Sequence, residues 1–181
     1  MNERDVRQKL FRIARSVGYA PITQTDAARC PRCHSLVKPP IGRPDILLLH
    51  PHQASRVVEV KVMHSGDTSF SFDNIDDAQR KWLNWWKDDM NGLGYIGLGV
   101  IRAHGKRDFL DYLYLVDWER WKQVEDMVTP YQSSVPLKAG KGYKKELQEK
   151  NLDILSLFGD HRWMRENGEW HSVGDSTLYG I

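Results

Sequence analysis

Long apolar runs, cysteines, internal repeats and an excess of either charge are all scarce in this chain. No apolar stretch approaches the roughly 20 residues that cross a bilayer, which excludes a helical membrane span. Met1 is followed by a charged segment and not by an apolar leader, so a cytoplasmic location is the expectation. The formal charge of +2 is too close to zero to argue for or against nucleic acid by itself. With no repeat and no low-complexity tract, the 181 residues suit one domain with a substantial core. Two cysteines fall short of the four ligands that structural zinc normally takes, so other side chains would have to complete such a site.

What the chain does contain is strongly patterned. Asn2 to Val17 reads as an amphipathic helix, with Val6, Leu10, Ile13 and Val17 at helical spacing and Gly18 as its stop. A short strand is expected over 19–24, and a second helix over 76–90, ended by Asn91-Gly92. Tyr95 to Arg102 and Phe109 to Val116 read as a hairpin turning at His104-Gly105, followed by a helix from Asp117 to Val128. The order α-β-β-β-α-β-β-α fits an α/β fold in which helices flank a mixed central sheet. Trp82, Trp85 and Trp86 lie at i, i+3 and i+4, one aromatic face that is expected to be core, with stacking on DNA as the alternative. Basic residues cluster in the first helix (Arg4, Arg7, Lys9, Arg12, Arg15), at 102–107 and at 138–145, where they could meet phosphate.

The segments Gly42-Arg43-Pro44-Asp45 and Glu59-Val60-Lys61 carry the chemistry. Between the two acidic residues lie the aliphatic runs Ile46–Leu49 and Arg56–Val62, separated by His50-Pro51-His52-Gln53-Ala54. An antiparallel hairpin centred near His52 places Asp45 opposite Glu59, and strand alternation puts Lys61 on the same face. Two carboxylates so placed repel, and a divalent cation removes the conflict. Mg²⁺ takes hard oxygen ligands, polarises phosphate and acidifies a bound water, while a lysine can stabilise charge developing on the phosphate. Farther on, Asp76 or Asp77 is a helix N-cap candidate, which puts Gln79 in the first turn, facing the carboxylates.

Gly-X-Pro-Asp, then Glu-X-Lys, then a helix with an early Gln resembles the PD-(D/E)XK nuclease superfamily, over roughly residues 1–120. Ser69 to Gln79, Ser-Phe-Ser-Phe-X-X-Ile-X-X-X-Gln, is similar to bacterial Holliday-junction resolvases of the RecU type. VRR-NUC nucleases share a comparable series. The resemblance implies a restriction-endonuclease-like core over 1–128, an inserted loop over 25–43 and a C-terminal extension over 129–181. It implies a Mg²⁺- or Mn²⁺-dependent DNA endonuclease, with Asp45 and Glu59 as metal ligands and the Val60 carbonyl as a further one. Lys61 would serve the attacking water, Gln79 would support the site, and Glu3 of the first helix would add a carboxylate. Branched DNA is the implied substrate, with a homodimer to make two symmetric cuts and a phage or mobile element as a fitting source. Flap cleavage, a restriction-type activity or a catalytically silent DNA-binding protein are the alternatives.

Cys30-Pro31-Arg32-Cys33 followed by His34 has the spacing of half a zinc knuckle. His50 and His52, or a second copy of the chain, could complete a structural zinc site. Free thiols or a redox pair are the competing reading, with a zinc-based redox or regulatory protein as its functional counterpart.

Overall fold

A computed structural model describes residues 2–23, 28–29, 36–37, 42–64, 69–104, 107–136, 162–166 and 169–173. Asn2 opens the first helix, α1 (Glu3–Ser16), through a reciprocal cap in which its side chain accepts from the Asp5 amide and Asp5 returns the bond. Val6, Leu10 and Ala14 form its buried stripe. The helix ends where Gly18 takes φ +89°, a left-handed conformation that glycine adopts without steric cost. The chain then enters β1 (Ala20–Thr23), which pairs antiparallel with β4 (Ile46–His50); two short strands, β2 (Ala28–Arg29) and β3 (Leu36–Val37), pair with each other between them.

β4 and β5 (Gln53–His64) form the expected hairpin, with Ile46 opposite Val58 and Leu47 opposite Val57. That register continues to Arg56 and slips only at the tip, between Leu48 and His50. β6 (Ser69–Ser71) and a 3-10 turn (Phe72–Asn74) lead into α2 (Asp77–Asp88). The helix is a crossover that returns the chain parallel to β5 as β7 (Leu93–His104), with Glu59 beside Ile96 and Lys61 beside Leu98. β8 (Arg107–Asp117) completes an antiparallel hairpin with β7 and runs into α3 (Trp118–Val128). Counting the strands of the central sheet alone, the order α-β-β-β-α-β-β-α holds from α1 to α3, as a mixed sheet with helices on both faces; β2, β3 and β6 lie outside that sheet and were not expected.

Each sheet face has its own core. Val6 and Leu10 of α1 pack with Ile46, Leu48, Val58 and Val60, while Leu83, Trp118, Trp121 and Val124 of α2 and α3 pack with Val57, Ile96 and Leu98. A Cβ on Gly99 would lie 2.5 Å from a Val6 methyl, so the missing side chain is what lets α1 settle closely on β7. Residues beyond Val128, expected as an extension, also supply strands. β9 (Ser134–Pro136) pairs with β6, and β10 (Arg162–Glu166) with β11 (Glu169–Val173) extends the central sheet from β8. The sheet order is β1-β4-β5-β7-β8-β10-β11 among the described residues.

One expectation about the core is corrected. Of the three tryptophans of α2, Trp86 packs against the core and Trp82 is half-buried, while Trp85 is 41% exposed. Leu83 takes the buried direction of the helix instead, so the aromatic stripe flanks the core and does not fill it. Trp82 and Trp85 meet edge to face with ring centroids 4.7 Å apart.

Candidate active site

Asp45 stands one residue before β4, and the register of Ile46 with Val58 carries it opposite Glu59. Since β4 has not yet begun there, the Val60 amide finds the Asp45 side chain and donates to Oδ2 at 2.9 Å. Val57, Glu59 and Lys61 alternate onto the face covered by α2, so Glu59 points into a largely apolar layer and is only 3% exposed.

α2 brings the next group. Asp76 caps the helix by accepting the Gln79 amide at 2.8 Å, and its own amide donates to Gln79 Oε1 at 3.0 Å. That reciprocal box fixes the Gln79 side chain, whose Oε1 also accepts from Lys61 Nζ at 3.1 Å while Nε2 donates to Glu59 Oε1. Lys61 Nζ lies 3.0 Å from the same Glu59 oxygen. Helix capping and site geometry thus share one residue. Gly42 holds the Asp45 loop against α2: with φ +84°, it sits where a Cβ would be 2.3 Å from the Ala78 carbonyl carbon.

Burial pushes the Glu59 carboxyl up to about 7, opposed by Lys61 and reinforced by the charges of Asp45 and, least, Glu3. Glu3 itself is exposed in the first turn of α1. One turn later Arg7, a member of the basic cluster of the first helix, pairs with Asp45 Oδ1 at 3.2 Å. Its signal was the spacing: Glu3 and Arg7 are i, i+4 neighbours on one helix face.

The structure therefore gathers Asp45, Glu59, Lys61, Gln79 and the Val60 amide from three separate segments and adds Arg7. Cys30, Cys33 and His34 lie outside the described residues. His50 and His52 remain together at the hairpin tip, away from Asp45, where His50 Nδ1 accepts the His52 amide at 3.1 Å and its ring packs on Tyr19. Among the described residues no group of three or more His, Cys, Asp or Glu side chains converges as a metal cage. The donor set at Asp45 and Glu59 is instead two hard carboxylates, which suits an ion that fills its remaining positions with water and phosphate. A cation there would favour the charged form of Glu59, against the burial and the lesser Asp45 repulsion that raise its carboxyl.

No family model and no curated protein matches the chain. Among solved structures, it is similar to Hjc, a Holliday junction resolvase of the archaeal hyperthermophile Archaeoglobus fulgidus. The two share 14% identity over 65% of this chain and 78% of that one, with a TM-score of 0.43. No helix among the described residues is long and apolar enough to cross a membrane.

Proposed function

We propose that this chain is a divalent-metal-dependent endonuclease that hydrolyses phosphodiester bonds in branched DNA. The observation that carries the reading is the meeting of Asp45, Glu59, Lys61 and Gln79 on one patch, with a buried carboxylate whose proton a cation can replace. Asp45 and Glu59, with the Val60 carbonyl, would hold Mg²⁺ or Mn²⁺. When bound, the ion supplies Lewis-acid polarisation of the phosphate and a more acidic water.

The protein's own groups have distinct tasks. An ammonium has three N–H donors, and Lys61 directs two of them to Glu59 and Gln79, leaving one for the attacking water or a phosphate oxygen. Gln79 keeps that ammonium and the Glu59 carboxylate in register, and it is held in turn by the α2 cap. Glu3 is near enough for its charge to bear on Glu59, the position for an additional carboxylate at the mouth of the site. Two symmetric cuts at a four-way junction would call for two copies of the chain.

Cleavage of labelled four-way junction, flap, single-stranded and duplex DNA, with Mg²⁺ and with EDTA, tests the proposal. Metal-dependent symmetric cuts that Asp45→Asn abolishes are the expected result. Preference for flaps would assign the flap-nuclease alternative. DNA that is bound equally well in EDTA and never cut would leave a binding protein on this fold.

A further inference from the structure

We propose that Arg7 is a counter-ion which Asp45 exchanges for the divalent cation, and that the released guanidinium then binds the substrate phosphate. The inference rests on the metal-dependent reading above and adds a residue to it. Asp45 Oδ2 is committed to the Val60 amide at 2.9 Å, whereas Oδ1 faces Arg7 Nη1 at 3.2 Å. The oxygen most available to a metal is therefore already taken by a cation of the protein.

The two cations at the site are held very differently. Lys61 has two acceptors, Glu59 and Gln79, and Gln79 is itself fixed by the helix cap. Arg7 has one polar contact among the described residues, to Asp45, and both side chains keep about a quarter of their surface in solvent (24% and 23%). A pair of this kind holds weakly, so a divalent ion can displace it. Arginine keeps its charge at every accessible pH, so the exchange is a competition between cations and not a titration. Once displaced, the guanidinium is repelled by the bound ion yet stays anchored through α1, whose neighbouring Val6 is fully buried. Its planar fork of N–H donors matches a phosphate, the group that the same ion would engage. A substrate phosphate would then have two cationic donors in the site, Lys61 and Arg7.

Mn²⁺ titration of the full chain without DNA, followed by calorimetry, tests the exchange. Arg7→Gln, which keeps the stem and removes the charge, should bind Mn²⁺ about fivefold more tightly than wild type, the scale of a partly exposed ion pair. Arg7→Lys should restore the wild-type affinity within about twofold. In a Lys61→Ala background that stops cleavage, Arg7→Gln should also weaken four-way-junction binding in Mn²⁺ and lower its salt slope by about 1. Mn²⁺ uptake that Asp45→Asn abolishes and Arg7→Gln leaves unchanged overturns the exchange alone. A wild type that takes up no Mn²⁺ overturns the metal-dependent reading, and the exchange with it.

Discussion

Glu59 should make the metal-free protein lose stability as pH rises, the opposite of an ordinary paired carboxylate. Its carboxyl is pushed up to about 7 from the 4.5 of an unperturbed glutamate, chiefly by burial. At about 1.4 kcal/mol for each tenfold change in proton affinity, that gap amounts to roughly 3 kcal/mol. The folded state binds this proton more tightly than the unfolded state. Its stabilising effect is therefore complete below pH 4.5, declines through the interval up to 7 and is gone above it. Glu59→Gln keeps the shape and an acceptor for Lys61 but has nothing to titrate, so the difference between the two proteins isolates the group. Urea unfolding in EDTA from pH 4.5 to 8.5 should show wild type falling by about 3 kcal/mol relative to Glu59→Gln. Added Mg²⁺ at pH 8 should recover stability in wild type and have little effect on the variant. Parallel pH profiles for the two proteins in EDTA would refute the reasoning, because Glu59 would then titrate alike in the folded and unfolded chain.

Gly42→Ala places a Cβ against the backbone of α2 at a positive φ, so it should cost at least about 2 kcal/mol and lower cleavage by more than tenfold, read by thermal melts and junction assays. Gln79→Ala removes the reciprocal half of the α2 cap together with the bridge between Glu59 and Lys61. It should destabilise by about 1 kcal/mol, yet reduce the cleavage rate far more than that loss of folded protein explains. Trp121→Ala should cost about 3–5 kcal/mol in urea unfolding, because the ring is fully buried between Phe70 and Phe72. Trp85→Ala, at 41% exposure, should cost under about 1 kcal/mol by the same measurement.

The hairpin was legible because its information is local. Two aliphatic runs about a short turn define a centre, and a period of two then decides which side chains share a face with Asp45. Gln79 was legible for a similar reason, since an acidic N-cap places the residue three positions on in the first turn. The helix bounds followed from the cap at Asp76 and the stop at Gly18, while the caps at Asn2 and Asp117 are seen only in the structure.

The remaining features depended on contacts between distant segments. β5 and β7 run parallel, a pairing no local period can report, and it is this crossover that sets α2 over Glu59. The addition of β10 and β11 to the sheet was invisible in a stretch whose apolar pattern fades after Val128. Helical spacing identified the tryptophan stripe of α2 but could not say which part of its arc met the core, and Leu83 took that place. Arg7 belonged to a helix face whose orientation over Asp45 exists only after α1 docks on β7. By itself, the sequence determined the three helices, the central strands up to Val116, the hairpin register and the identity of the carboxylate, lysine and glutamine group. Only the tertiary structure decided that Glu59 is buried, that Arg7 pairs with Asp45 and that the capped end of α2 holds Lys61. Burial and long-range charge arise from packing between segments, whereas periodicity and capping are properties of neighbouring residues.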